Sequence, residues 1–344
     1  MRQPGLFPLE WHKPTTRGIA DAVRAGGLAA LPDPDHRANH ATYQEVRCRS
    51  ALNAAKGMPF KWTLNPYRGC THACHYCFAR RYHAQFEMGA GDDFASVILV
   101  KVNFPEVLAR ELARPSWARE QIALGTATDP YQPVEGEYKL TRRALEALST
   151  AGTPVGLVTK GPMVVRDIDV LQAVARQASC SIYLSVPSVD EDAWRRLEPG
   201  TAHPLQRLKA VRRLVDAGLR ASVLMAPLLP GITTSKRAIG ATIRAIADHG
   251  ASAVGANVVR LDDGTREHFL QVLAQEYPHL SEGYERLFGK GGRQVPKAYA
   301  AAVKETVHEA MVMAGLRVAD GRMTNDELRT AGYELRSLDT QPLP

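Results

Sequence analysis

The chain has 344 residues, 45% of them hydrophobic and 23% charged, and its formal net charge is +7. This composition is ample for a packed core, and five cysteines in so long a chain exclude a disulfide-stapled secreted scaffold. Without an apolar h-region or roughly 18–20 consecutive apolar residues, we expect a soluble, cytoplasmic protein with no membrane partner.

Residues 1–60 predict an irregular N-terminal arm, either packed over the core or partly mobile. Prolines punctuate this region at Pro4, Pro8, Pro14, Pro32 and Pro34. Helices are predicted only at 19–25 and near 50–55.

From residue 61 short apolar segments alternate with amphipathic segments of helical period. The apolar segments predict strands at 61–68, 121–126, 155–159, 181–186, 221–226 and 253–259. The amphipathic segments predict helices at 75–85, 105–113, 140–151, 167–177, 191–196, 204–217 and 235–249, and a further apolar run lies at 97–102. We assign 61–262 to the core, and 263–344, with helices at 266–277 and 298–314, to a C-terminal helical extension.

Alternation of this kind predicts an α/β fold with a parallel sheet covered by helices. Six βα units suit either a partial (β/α)6 TIM-type barrel or a flat doubly wound sheet. In both, ligands gather at the C-terminal ends of the strands.

Three cysteines, Cys70, Cys74 and Cys77, fall in the spacing C-x₃-C-x₂-C directly after the first core strand. Thiolates bind iron or zinc, and three so close together can hold one inorganic centre. No fourth cysteine is nearby, so an iron cluster here would keep one iron open for a ligand. The alternative is a zinc site completed by His72, His75 or His83.

The cysteine motif and the segments 65–70 (NPYRGC) and 76–80 (YCFAR) resemble the radical SAM superfamily, and within it the spore photolyase-like branch. The resemblance implies the partial barrel and a 4Fe-4S cluster on the three cysteines. It also implies reductive cleavage of S-adenosylmethionine to a 5′-deoxyadenosyl radical that abstracts hydrogen from substrate. An electron donor such as flavodoxin or ferredoxin would supply the electron.

The resemblance also implies cofactor contacts at successive strand ends. In the segment 125–131, Asp129, helped by Thr128, would bind the amino group of S-adenosylmethionine, unless Asp129-Pro130 is only a turn. Lys160 would pair with the cofactor carboxylate or else lie on the surface, and Ser185 would bind the ribose or simply close its strand.

Three residues are predicted to approach the adenine. Tyr76 and Phe78 flank Cys77, and Asn257 lies in the last core strand. A separate segment around Glu198 and Arg207 also resembles the branch.

In that segment an arginine often follows the Glu-Pro pair in relatives, whereas Gly200 stands here. Glu198 and Arg207 form either a buried pair that lines the site or an ordinary pair on a helix surface.

The chain departs from a true spore photolyase in one respect. The segment 126–129 lacks the extra cysteine that would donate hydrogen, which weakens thymine-dimer repair, although Tyr131 is a candidate substitute. Of the other cysteines, Cys180 is expected to be a small core residue, and Cys48 has no assigned role.

Basic residues surround the cysteine loop, namely Arg68, Arg80, Arg81 and His83. They either face a nucleic-acid backbone or solvate the rim and balance the charge of the cluster. The mild basic balance of the whole chain does not decide between these.

The favoured hypothesis is a radical SAM enzyme of lyase or oxidoreductase type that acts on a nucleic-acid base, as in DNA repair. A second hypothesis is radical modification of a protein or a small molecule. A third is a non-catalytic, zinc-containing nucleic-acid-binding module.

Overall fold

The computed structural model describes residues 8–10, 41–55, 58, 60–84 and 93–316. The helix predicted at 19–25 lies outside them. In chain order the strands are β1 (Pro8–Glu10), β2 (Thr42–Val46), β3 (Asn53–Ala54), β4 (Trp62–Leu64), β5 (Tyr67–Arg68), β6 (Val97–Lys101), β7 (Ile122–Leu124), β8 (Val155–Thr159), β9 (Cys180–Ser185), β10 (Arg220–Leu228) and β11 (Val254–Val258).

The main sheet has the strand order β11-β10-β9-β8-β7-β4-β3. From β4 to β11 all neighbours are parallel, and the strands follow one another in sequence order. A doubly wound sheet would reverse its order at a switch point. The uninterrupted order confirms the predicted α/β fold with six βα units. The sheet is open, with edges at the short antiparallel strand β3 and at β11.

Helices connect the parallel strands. The α-helices are Arg81–Ala84, Asp93–Ser96, Phe104–Leu112, Glu135–Tyr138, Leu140–Thr150, Ile168–Gln177, Glu191–Leu197, Pro204–Asp216, Lys236–Asp248, Thr265–Glu276, Ser281–Phe288 and Lys297–Met313. Short 3₁₀ segments lie at Phe78–Arg80, Pro162–Asp167 and Pro278–Leu280. The predicted helices are confirmed to within a few residues, except those at 50–55 and 75–85.

The helix Lys236–Asp248 illustrates how the sequence produces these elements. Its buried residues Ile239, Ile243 and Ile246 recur at helical spacing and face the core. The Ser235 hydroxyl accepts a hydrogen bond from the Ala238 N–H at 3.1 Å and caps the N-terminus.

A second, smaller sheet has the order β1-β2-β6-β5. It shows that the single strand predicted at 61–68 is wrong, because β4 joins the main sheet and β5 pairs with β6. The chain changes sheets at Asn65-Pro66, where Lys101 donates hydrogen bonds to both carbonyls, at 2.6 Å from its amine and 3.2 Å from its backbone N–H.

The helix predicted near 50–55 is also wrong. Asn53–Ala54 pairs with β4 instead. The carboxylate of Glu111 accepts hydrogen bonds from the backbone N–H groups of Ala51 and Leu52 at 3.1 and 2.8 Å. These bonds hold the backbone in an extended course that a helix would not allow.

The C-terminal helix Lys297–Met313 packs against Lys236–Asp248 and β11. Within the described residues, no helix is both long enough and apolar enough to span a bilayer.

Candidate active site

The cysteine loop, residues 69–80, directly follows β5, which itself follows the C-terminal end of β4 in the main sheet. It consists of three consecutive turns, and each turn begins at a cysteine. The carbonyls of Cys70, Cys74 and Cys77 accept hydrogen bonds from the backbone N–H groups three residues ahead, each at 3.2 Å. Tyr76 and Cys77 therefore remain in the loop, and the helix predicted at 75–85 is wrong at its start. Cys70 and Cys74 are buried, and Cys77 is partly exposed.

The backbone of the loop is constrained at Gly69 and Ala73. Gly69 has a φ of +80°, and a Cβ there would lie 2.6 Å from the Val97 carbonyl oxygen. Ala73 also adopts a left-handed conformation, with a φ of +55°. Arg80 donates hydrogen bonds to the carbonyls of Ala73 and Cys74 at 3.0 and 3.1 Å.

Arg80 is fully buried, so it neither faces a nucleic-acid backbone nor solvates the rim, and of the alternatives only a role in balancing charge stays open for it. Arg81 forms an ion pair with Asp262 at 3.0 Å and stacks on Tyr82 at 4.9 Å. Arg68 is partly buried, and burial lowers the pKa of its guanidinium. The side chain of His83 lies outside the described residues.

Residues after β7 support the first turn of the loop. Thr128 donates to the Gly69 carbonyl at 2.6 Å and accepts a hydrogen bond from the Gln132 amide at 3.0 Å. The Gln132 side chain also accepts from the Thr71 N–H at 3.1 Å. The single donor of the Thr128 hydroxyl is used within the protein, so this geometry favours a positioning role for it.

Asp129 connects three strand ends. Its carboxylate accepts hydrogen bonds from the Thr159 hydroxyl at 2.6 Å and the Lys160 N–H at 2.7 Å. It also lies 3.2 Å from His72 Nδ1 on the cysteine loop. Burial alone would raise the pKa of Asp129, but His72 and these hydrogen bonds hold it below its usual value.

A buried charge cluster lies beside Asp129. The Lys160 ammonium is 2.6 Å from Ser185 Oγ and 3.0 Å from Glu198 Oε1. The Tyr76 hydroxyl donates to the same carboxylate. Burial lowers the pKa of Lys160 to about 8. The structure thus brings the predicted residues Tyr76, Lys160 and Ser185 together around Glu198.

Arg207 completes this cluster. It is fully buried, forms an ion pair with Glu198 and donates to the Ser185 carbonyl at 3.0 Å. Of the two alternatives for Glu198 and Arg207, the buried pair is confirmed. Lys160 and Arg207 both pair with Glu198, and the Asp129 carboxylate next to Lys160 balances the second positive charge.

Phe78 and Asn257 lie apart from these buried groups. Phe78 is 43% exposed, and its ring packs edge to face with that of Tyr82, with 6.3 Å between the ring centroids. Asn257 is exposed, and its side-chain oxygen accepts from the adjacent Val258 N–H at 3.1 Å.

Tyr131 is fully buried and donates to Asp167 at 3.0 Å. Its hydroxyl is bonded to that carboxylate, which does not favour the suggestion that Tyr131 replaces the missing cysteine as hydrogen donor, and the suggestion stays a prediction. Cys180 is buried at the start of β9 as predicted, and burial raises the pKa of its thiol to about 12. Cys48 is partly exposed and exchanges two backbone hydrogen bonds with the Asn103 side chain.

Residues after β11 cross the open edge of the sheet to the cysteine loop. The Thr265 hydroxyl donates to the Cys77 carbonyl at 3.0 Å. The rings of His75 and His268 approach to 2.9 Å between Nδ1 and Nε2. The sequence did not reveal these partners, or Gln132 and the His72 contact with Asp129, because each joins distant residues and belongs to no motif.

The donors of the cysteine loop can be compared with the needs of an iron cluster and of a zinc ion. Among the described residues, no three His, Cys, Asp or Glu side chains are grouped so that they could hold one ion. A structural zinc needs four donors around one point, whereas a cubane takes one thiolate per iron. Burial raises the pKa of the Cys74 thiol to about 12, while Lys160 nearby favours its thiolate. Three cysteines on consecutive turns, with the Lys160 cation near Cys74, supply the thiol donors that an iron cluster takes.

Sequence comparisons relate this chain to one protein family and to several individual proteins. The family model of the Radical SAM superfamily matches residues 64–239. An uncharacterized protein of Mycobacterium tuberculosis is 40% identical over 281 residues, which cover 81% of this chain and 82% of that protein. A protein of Pseudomonas phage M6, named Radical SAM Nalpha-GlyT isomerase, is 26% identical over 172 residues, covering 49% of this chain and 33% of that protein.

Solved structures of spore photoproduct lyase share the fold. A variant with bound AdoMet and dinucleoside spore photoproduct has a TM-score of 0.60 at 17% identity, covering 88% of this chain and 85% of that chain. A complex with dinucleoside spore photoproduct has the same TM-score and identity, with coverage of 87% and 85%.

Proposed function

The chain belongs to the radical SAM superfamily and is a radical SAM enzyme, and from this premise we propose that Cys70, Cys74 and Cys77 hold a 4Fe-4S cluster. The observation that carries the proposal is the cysteine loop. It consists of three turns that each start at a cysteine, and it lies beside the buried ion pair of Lys160 and Glu198. When bound, the iron cluster supplies the electron that cleaves S-adenosylmethionine to a 5′-deoxyadenosyl radical.

The charges next to the loop suit a zwitterionic ligand such as the methionine part of S-adenosylmethionine. Lys160 and Arg207 share the Glu198 carboxylate, so a carboxylate of the ligand can serve Lys160 as a further partner, and a buried charge is costly without one. The Asp129 carboxylate, whose backbone and side-chain contacts fix its position, favours an ammonium group. Ser185, bonded to Lys160, lies where it can bind a ribose hydroxyl.

Tyr76 has the clearest case among the residues proposed to border the adenine, because its ring is buried beneath the Lys160 ammonium at 5.7 Å. Phe78 and Asn257 are exposed, so a contact with adenine requires the cofactor to extend to the rim of the site.

Anaerobic reconstitution tests the cluster. We expect about four irons per chain and formation of 5′-deoxyadenosine when a reductant is added. Cys70→Ala should lose both, while Cys180→Ala, which changes a cysteine in the core, should retain both. A Cys70→Ala protein with full cluster and full cleavage activity would refute the assignment, and zinc in place of iron would support the non-catalytic module.

Lys160→Met tests the cofactor site separately. It should retain iron but bind S-adenosylmethionine at least tenfold more weakly, a loss of about 1.4 kcal/mol, because the carboxylate loses its cation. Lys236→Met, an exposed lysine paired with Glu309, serves as the control. Unchanged affinity in Lys160→Met would place the cofactor carboxylate elsewhere.

A nucleic acid is our first proposal for the substrate, and an external electron donor such as flavodoxin or ferredoxin for the reductant. The shared fold with a lyase solved in complex with a dinucleoside photoproduct and the net charge of +7 support the nucleic acid. Binding to DNA or RNA that weakens steeply with salt is expected. Transfer of deuterium from a labelled oligonucleotide into 5′-deoxyadenosine would identify the abstracted hydrogen.

Modification of a protein or small molecule is the second candidate. It is favoured by the burial of Arg80 and by the pairing of Arg81 with Asp262, which remove two charges from the expected basic rim. Absence of any salt-dependent nucleic-acid binding would select this candidate over the first.

A further inference from the structure

Arg80 is one of the largest fully buried side chains among the described residues. Burying a guanidinium is costly unless charge or hydrogen bonds compensate for it. Arg80 closes the cysteine loop, and its guanidinium carbon lies over the ring of Phe94, 5.1 Å from the ring centroid. The burial of this guanidinium beside the cysteine loop indicates that it acts on the loop.

The first part of that role is to fix the shape of the loop. The guanidinium donates to the carbonyls of Ala73 and Cys74 at 3.0 and 3.1 Å, and its backbone N–H closes the turn at Cys77. Ala73 has a left-handed φ of +55°, a conformation that costs energy for a residue with a Cβ. Arg80 thus stabilises the turn that begins at Cys70, although Arg80 itself follows Cys77 in the sequence.

The second part is electrostatic. The Arg80 guanidinium is fully buried and is bonded to the carbonyls of Ala73 and Cys74, so its charge lies against the loop that carries the three cysteines. Charges in a buried environment act more strongly than at the surface. Net charge and hydrogen bonding around an iron–sulfur cluster are the levers by which a protein sets its reduction potential.

We infer that Arg80 is a positioning residue whose buried charge raises the reduction potential of the cluster while its hydrogen bonds hold the cysteine loop. The inference rests on the cluster of the proposed function. Each cluster gains one electron on reduction and becomes more negative, so a fixed cation beside it stabilises the reduced state more than the oxidised state.

Three variants separate charge from shape. Arg80→Gln removes the charge, Arg80→Lys retains it, and Arg81→Gln removes a charge from the neighbouring, partly exposed position paired with Asp262. Iron content and visible absorption give cluster loading, and an electron paramagnetic resonance titration without S-adenosylmethionine gives the midpoint potential.

We expect Arg80→Gln to have an about tenfold lower ratio of reduced to oxidised cluster at the wild-type midpoint, which is a shift of about −59 mV for a one-electron couple. Arg80→Lys and Arg81→Gln should retain the wild-type potential. A loaded Arg80→Gln cluster with the wild-type potential would overturn the inference.

If Arg80→Gln takes up no iron cluster, the inference is tested by the cluster loading and midpoint potential of Arg80→Lys. Restored loading at the wild-type potential supports the inference, whereas a Lys variant that loads no better than Gln shows that only the guanidinium shape matters and overturns the electrostatic role. Failure of the wild-type protein to bind iron would instead refute the proposed function, and the inference with it.

Discussion

Gly200→Ala is a sharp test of how the cysteine loop is supported. Gly200 lies against the loop, and its N–H donates to the His72 carbonyl at 3.1 Å. A Cβ at this position would collide with the Thr71 carbonyl oxygen and lie 3.1 Å from the Cα of His72. Since these are backbone atoms, either the loop or the segment containing Gly200 must move by on the order of 1 Å.

The displacement should affect the site more than the fold. Overpacking of this kind costs about 1–3 kcal/mol, which the chain can tolerate, so the protein should remain folded with a lower thermal midpoint. A shift of about 1 Å in a reacting group reduces rates by roughly 10²-fold. We therefore expect severalfold lower iron loading and a roughly 10²-fold loss of 5′-deoxyadenosine formation per bound cluster.

The matched control is Gly283→Ala. A Cβ at Gly283 meets no atom within 4 Å, and the residue lies in the helix Ser281–Phe288, where alanine should stabilise by up to about 1 kcal/mol. Its loading and activity should equal those of the wild type. If Gly200→Ala also matched the wild type in both, the close approach of Gly200 to the loop would not constrain the cluster site.

Three further changes test the surrounding structure. Glu198→Gln should reduce the free energy of unfolding by about 3–5 kcal/mol in urea titrations, because two buried cations lose their carboxylate. The control Glu191→Gln changes an exposed carboxylate and should alter the free energy of unfolding little. Equal effects of the two changes would contradict the burial of Glu198 with Lys160 and Arg207. Burial lowers the pKa of Lys101 to about 8, so the unfolded chain holds this proton to higher pH. Lys160 titrates in the same range but is unchanged in Lys101→Met, so the stability of the wild type relative to Lys101→Met should rise by about 2 kcal/mol between about pH 7 and about pH 9.5. An equal pH dependence of the two proteins would show that Lys101 does not titrate in this range. Thr265→Val should lose about 1 kcal/mol and release iron to a chelator severalfold faster, since the Cys77 carbonyl loses one donor, and an unchanged release rate would show that this bond does not support the loop.

Much of the fold was predictable because parallel βα units have a strong local signal. Buried strands and amphipathic helices such as Lys236–Asp248 follow from periodicity alone. The second sheet was not predictable in this way, because β2 pairs with β6 across about 50 residues. The break between β4 and β5 depends on hydrogen bonds from Lys101, which no local pattern records.

The candidate site was predictable where its residues sit at strand ends. Lys160 and Ser185 close adjacent parallel strands, so their proximity follows from the topology. The burial of Arg80 was not predictable, because a basic residue beside the cysteine loop is equally compatible with an exposed position. One of its acceptors is the carbonyl of Ala73, whose left-handed conformation has no signal in an alanine.

The cysteine loop is held by segments that come later in the chain. Thr128 and Gln132 fix its first turn, the Leu197 carbonyl accepts from the His75 N–H at 3.0 Å, and Thr265 bonds the Cys77 carbonyl. A loop whose partners follow β7, β9 and β11 cannot take its shape until those strands have assembled. The arrangement of the three thiols is therefore a product of the folded core, and we expect stable cluster uptake only after the core, including the segment after β11, has folded.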